Sequence, residues 1–208
     1  VAGATGVGKS SLINHLFGME VAAEGSGKPV TDHVTRYEPE QHDVVLYDTR
    51  GYEIGDNKTQ QFYKEVIGFV KEANESNDVA RHIHLVWYCI SAANKRVTPM
   101  DLDLIAALNG LSKVCVVLTQ IDAATVVELK ELRETLQKKV PDLPVFTVSL
   151  DPRVPEESLE WDGLLDWSMD NLESGMELAL AQALGKEVRI KRMQADKLVQ
   201  RYVVAAAG

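Results

Sequence analysis

Gly3-Ala4-Thr5-Gly6-Val7-Gly8-Lys9-Ser10 is the stretch on which the reading of this sequence turns. It satisfies the pattern G-x-x-x-x-G-K-[ST] at every fixed position. Its glycines let successive backbone N–H groups turn inward around phosphate oxygens. Lys9 reaches the β- and γ-phosphates as a point charge. Ser10 offers a hydroxyl to Mg²⁺ at the start of a helix whose positive end faces the anion. Ser11, Leu12, Ile13, Leu16 and Phe17 supply that helix, and Gly18 stops it. The expectation is that Gly3, Thr5, Gly6, Val7, Gly8, Lys9, Ser10 and Ser11 hold the phosphates of a nucleoside triphosphate. The loop alone does not say which one.

Around the loop, short apolar runs alternate with helical patterns. Asp43–Asp48, His82–Ile90, Lys113–Thr119 and Pro144–Ser149 read as strands with continuously apolar interiors, as strands covered on both faces do. Phe62, Val66, Phe69 and Val70 make one helical stripe, and Leu129, Leu132, Leu136 and Val140 another. Thr98-Pro99-Met100-Asp101 reads as a capped helix start and Gly110 as its end. This alternation predicts an α/β fold in three layers: a mostly parallel sheet with helices on both faces. Only Val1 and Ala2 precede Gly3, so the first strand is expected to be largely missing. From about residue 158 the strands stop. The expected division is a nucleotide-binding domain over 1–152 and a C-terminal helical extension over 153–208, stopping in mid-pattern.

Three later segments choose the base and the switches. Asp48-Thr49-Arg50-Gly51 closes a strand 39 residues after Lys9. An Asp there holds Mg²⁺ through a water, and the Gly51 N–H meets the γ-phosphate; losing that phosphate releases the following loop. Thr119-Gln120-Ile121-Asp122 is similar to the guanine-reading pattern [NT]-K-x-D. One carboxylate, Asp122, accepts two N–H donors from the guanine edge; adenine lacks that pair. Gln120 replaces the usual Lys, whose stem packs over the base. Ser149-Leu150-Asp151 occupies the place of an element whose backbone N–H groups support the guanine oxygen, though a plain strand-end turn reads almost as well. The polar loop Gly18–Tyr37, with Gly25-Ser26-Gly27-Lys28-Pro29, reads as mobile. Thr35 is the first choice to complete the Mg²⁺ shell and Thr31 the second.

Composition bounds the rest. The 208 residues carry a net charge of −9. Six bases between Lys186 and Arg201 against two acids make the tail +4 on a body of −13. An acidic body sets nucleic acid aside as a partner. Cys89 and Cys115 lie in apolar strands and read as free buried thiols in a reducing, cytoplasmic compartment. No run reaches the roughly 18 apolar residues of a membrane helix. The stripe Ala195, Leu198, Val199, Tyr202 and Val203 either packs on the sheet or meets a partner helix or membrane surface.

The order of these motifs resembles the translation-factor-related class of GTPases. Within it, residues 1–152 are similar to the Era/TrmE-like family of 50S-ribosome-binding GTPases. The loop form from Gly3 to Ser11 is also that of septin-like, immunity-associated and interferon-inducible GTPases. The resemblance implies a G domain, GTP and GDP with Mg²⁺ as ligands, and pairing of two G domains across the nucleotide. Tyr52 stands where Ras-like switches carry a water-orienting Gln, and Gly6 stands where potassium-dependent members carry Asn. Lys9, Thr35 and Gly51 are then the catalytic set in one chain. Arg36 and Arg50 are either fingers supplied by a second copy or surface ion pairs. His33 positions water or is a solvated loop residue. His82 and His84, without a third ligand, make no convincing metal site. The expected function is slow GTP hydrolysis by a molecular switch. GTP-dependent dimerisation or assembly of the septin-like kind, or a scaffold that binds without hydrolysing, are the alternatives.

Overall fold

The computed structural model describes residues 1–17, 28–29, 31, 34–38, 45–52, 57–77 and 79–172. His33, the glycine-rich stretch 25–27 and the tail stripe lie outside the described residues. In chain order the elements open with β1 (Ala2–Gly3), α1 (Lys9–Phe17), β2 (Lys28–Pro29), β3 (Val34–Tyr37), β4 (Leu46–Thr49) and α2 (Asn57–Asn74). They continue with β5 (Leu85–Ser91), α3 (Pro99–Asn109), β6 (Lys113–Thr119), α4 (Val126–Lys139), β7 (Val145–Thr147) and α5 (Trp161–Asp170).

β1, β5, β6 and β7 form a parallel sheet in that order, and β2, β3 and β4 an antiparallel one. The two meet at Val1: its nitrogen donates to the Tyr47 carbonyl at 2.6 Å, and the Thr49 N–H donates to the Val1 carbonyl at 3.2 Å. Gly3 pairs with Cys89, and Ser91 with Thr119, so the carboxyl ends of the parallel strands lie side by side. In open α/β sheets that edge is where ligands bind.

Alternate strand residues enter two cores, as a period of two requires. Val86, Tyr88, Ile90, Val114, Val116 and Leu118 pack with α2, α3 and α4 through Phe62, Val66, Leu104, Leu108, Leu132 and Leu136. Trp87, Cys89, Cys115 and Val117 face the other way, against Leu12, Ile13 and Leu16 of α1 and Leu164, Leu165 and Met169 of α5. These are the three layers the alternation predicts. α5 therefore packs into the second core, while residues 173–208 lie outside the described residues. Both cysteines are free and buried. Burial pushes the Cys89 thiol up to about 12 and the Cys115 thiol well above its usual value. Among the described residues no helix is long and apolar enough to cross a membrane.

Boundaries differ from expectation where polar side chains take backbone groups. His82–His84 are not strand: the Ile83 N–H goes to Asn74 Oδ1 at 2.7 Å, and His82 Nε2 meets the Ser76 carbonyl at 2.7 Å. β2 and β3 run through part of the segment expected as a loop. The helix starts follow the caps. Thr98 and Asp101 form a capping box for α3, and Thr125 and Glu128 another for α4.

Candidate nucleotide-binding site

The loop between β1 and α1 is held by two close approaches. Gly3 has φ +140, and a Cβ there would lie 2.2 Å from the Cys89 carbonyl oxygen, so only glycine lets β1 turn against β5. Lys9 opens α1 and is 5% exposed. Its Nζ donates to the Gly3 carbonyl at 3.2 Å and the Ala4 carbonyl at 2.8 Å, so the ammonium lies folded over the loop. Burial lowers its pKa and the Asp48 carboxylate opposes that shift. The Ser10 hydroxyl donates to Asp48 Oδ2 at 2.8 Å. Gly6 and Gly8 both adopt positive φ around the turn.

Asp48 and Thr49 end β4, beside the loop. Thr35 of β3 is the register partner of Asp48, which puts both side chains on one face of the ribbon. Asp48 Oδ1 is buried and has no hydrogen-bond partner among the described residues. A buried anionic oxygen facing no donor, beside two hydroxyl-bearing residues, is a donor set that suits a hard divalent cation. Thr31, the second choice, uses its hydroxyl to accept the Val34 N–H at 3.0 Å in the turn before β3. Arg36 is ion-paired with Glu38. The Arg50 side chain is exposed, and its carbonyl accepts the Thr5 hydroxyl at 3.4 Å. Gly51 is packed against the loop: with φ +84, a Cβ would sit 2.5 Å from the Thr5 nitrogen and 2.8 Å from the Ala4 oxygen. The next carbonyl, Tyr52, accepts the Thr5 N–H at 3.1 Å.

The strand ends carry the second half of the site. The buried Thr119 hydroxyl donates to the Val7 carbonyl at 2.6 Å, tying the end of β6 to the phosphate loop. Gln120 takes a left-handed φ of 53, and its side-chain oxygen accepts the Ser91 hydroxyl. Its amide thus bonds to the end of β5 where a lysine stem is the usual occupant. Asp122 is exposed, and its Oδ1 accepts the Ser149 hydroxyl at 2.5 Å. Ser149 in turn accepts the Asp151 N–H at 3.1 Å. Arg153 bonds Asp151 and holds that carboxyl down at about 2. Leu150 is 48% exposed beside them.

The structure thus gathers Gly3 through Ser11, Asp48, Gly51, Thr119, Asp122 and Ser149 at one edge of the sheet. Thr35 joins them across β3–β4. His82 and His84 stack on each other at 6.2 Å just before β5, at the opposite end of that strand. Among the described residues no cluster of three or more His, Cys, Asp or Glu could hold a metal. Sequence reasoning missed Ser91 and, above all, Asp101, whose carboxylate meets Tyr52. The signals were present: Thr98-x-x-Asp101 is a capping box, and a tyrosine inside an apolar strand, Tyr88, needs a partner for its hydroxyl.

Residues 1–120 match the family model described as 50S ribosome-binding GTPase. Septin-2 of Rattus norvegicus is 30% identical over 165 residues, covering 68% of this chain and 44% of septin-2. The chain thus spans less than half the length of the curated relatives it matches. Two solved structures share the fold at 19% identity and a TM-score of 0.54, each covering 83% of this chain. One is Era in complex with MgGDPNP and nucleotides 1506–1542 of 16S ribosomal RNA, 55% of which is covered. The other is a variant Era of Aquifex aeolicus bound to GDP and AlF4⁻, 56% of which is covered. The first of these corrects the exclusion of nucleic acid drawn from net charge. A domain of this fold occurs in a protein solved with ribosomal RNA, and a whole-chain charge says nothing of a local surface.

Proposed function

We infer the function of this chain from its family: it belongs to the 50S ribosome-binding GTPases. We propose that it binds GTP and GDP with Mg²⁺ and hydrolyses GTP slowly, changing state through the segments at Thr35 and Gly51. The observation that carries this reading is the bond from Thr119 to Val7, which couples a base-reading strand end to a phosphate loop within one edge of the sheet. The amides from Gly6 to Ser11 receive the phosphates, and Lys9 swings from the Gly3 and Ala4 carbonyls to phosphate oxygens. Asp122, oriented by Ser149, accepts the guanine edge. Ser149 and the exposed Leu150 flank the base.

Ser10, Thr35 and Asp48 are the residues that would hold Mg²⁺; Asp48 Oδ1 is the oxygen left for it or for a water in its shell. When bound, the ion neutralises charge developing on the phosphates. The Tyr52 ring is buried and its hydroxyl is committed to Asp101, so it orients no water, and Arg36 already pairs with Glu38. Catalysis is left with positioning and charge alone, and the rate falls in the range of unassisted switches, about 10⁻⁴ to 10⁻³ s⁻¹. RNA stands as an admissible partner class for a member of this family.

Single-turnover cleavage of radiolabelled GTP by excess protein tests the proposal. Cleavage at that rate, lost in Lys9→Ala, is expected. Binding without any cleavage would reduce the chain to a nucleotide-binding scaffold. Cleavage that survives Lys9→Ala would refute the assignment of the loop.

A further inference from the structure

Tyr52 directly follows Gly51 and is 4% exposed. Its hydroxyl donates to Asp101 Oδ1 at 2.6 Å, and the Tyr88 hydroxyl donates to the same oxygen at 2.9 Å. Asp101 Oδ2 accepts the Thr98 N–H at 2.8 Å and the Thr98 hydroxyl at 2.7 Å. The carboxylate is buried and saturated by these donors, the condition under which a buried charge is tolerated. Because it is also the capping box of α3, its place is set by the helix start. Burial first, then the bond to Asp101, raises the Tyr52 phenol, which therefore stays protonated and a donor. At its backbone end, Tyr52 accepts the Thr5 N–H. One residue thus bridges the rigid start of α3 and the first turn of the phosphate loop. Gly51 immediately precedes it, and on its other side the Arg50 carbonyl accepts the Thr5 hydroxyl at 3.4 Å.

Resting on the GTP-switch reading above, we propose that Tyr52 and Asp101 are positioning residues that hold the Gly51 N–H ready for the third phosphate. The position after Gly51 serves as an anchor rather than as a water-orienting group. Loss of the anchor frees Gly51 and leaves Lys9, Ser10, Thr119 and Asp122 in place. It therefore weakens GTP, which carries a third phosphate, and spares GDP, which does not. A purely structural role would weaken both alike.

Tyr52→Phe tests this gently, since the ring keeps its packing on Phe62 at 5.5 Å and only the hydroxyl goes. Asp101→Asn removes the charge from the other side. The readouts are GTP and GDP affinities by titration, and amide hydrogen exchange at Thr5 in nucleotide-free protein. The expected result is a fall of about tenfold in the ratio of GTP to GDP affinity, the worth of one bond to a charged acceptor, with faster exchange at Thr5. Trp87→Phe is the control for general destabilisation, because it removes a buried bond to Ser168 in the other core. It should lower Tm and keep the ratio. The proposal is overturned if both anchor variants lower Tm as Trp87→Phe does while the ratio and Thr5 exchange hold. If the unaltered chain binds no guanine nucleotide, the functional reading fails. Thr5 exchange then decides the anchor alone: faster supports it, unchanged overturns it.

Discussion

Replacing Gly51 with alanine probes the contact between switch and phosphate loop at its tightest point. Gly51 sits at φ +84, where an L-residue costs about 1–2 kcal/mol. The new Cβ would stand 2.5 Å from the Thr5 nitrogen, 2.7 Å from the Ala4 carbonyl carbon and 2.8 Å from its oxygen. All three are backbone atoms, so no side-chain rotation relieves the clash. The segment must lift, and the Thr5–Tyr52 bond goes with it, worth about 0.5–1.5 kcal/mol. The combined penalty on the docked arrangement is about 1.5–3.5 kcal/mol, or roughly 10- to 400-fold in an equilibrium constant. Lys9, Ser10, Thr119 and Asp122 keep their own partners in a lifted state. Titration with fluorescent analogues should therefore show GTP weakened by about that factor and GDP held within about threefold. An equal loss of both nucleotides, or no loss of either, would refute the docking of Gly51 as the element that reads the third phosphate.

Three further outcomes follow from the same geometry. Asp122→Asn should cost about 100-fold in GTP affinity and shift the preference towards xanthine nucleotides, measured by competition, because the carboxylate that accepts two guanine donors is gone. Thr119→Val keeps the side-chain shape but orphans the buried Val7 carbonyl. It should cost about 1–3 kcal/mol, lower Tm, and weaken GTP and GDP by the same factor. Glu128 is held down at about 2, first by its bond to Lys95 and then by the Thr125 cap. A depressed carboxyl stabilises the fold above its unfolded pKa of about 4.3, and the contribution is lost as pH falls towards 2. Thermal melts of Lys95→Met across that window should show a shallower acid slope than the unaltered chain.

What the sequence made legible was what local pattern determines. The phosphate loop, Thr98 and Pro99 at the start of α3, and the Lys113–Thr119 strand all follow from adjacent residues. β2 and β3 were hidden, because a two-residue strand (Lys28–Pro29) and a four-residue strand of mixed polarity (Val34–Tyr37) carry no apolar run long enough to register. The start of β5 was misplaced because His82–His84 look like strand, yet Asn74, eight or more residues away, captures the Ile83 N–H. At the site, Asp48, Asp122 and Thr119 were readable from motif spacing. Asp101 was readable as the cap of α3 but its meeting with Tyr52 was not, since that contact spans 49 positions and depends on how α3 packs. Net charge misled for a related reason: it averages over a surface that a partner meets only locally.

Guanine-nucleotide recognition by this one edge of the sheet underlies every role proposed above. Calorimetric titration of the 208-residue chain with GTP, GDP and ATP in the presence of Mg²⁺ tests it most directly. Saturable binding of GTP and GDP is expected, with ATP weaker by about 100-fold or more. Binding of ATP as tightly as GTP, or no binding of any of the three, would contradict it.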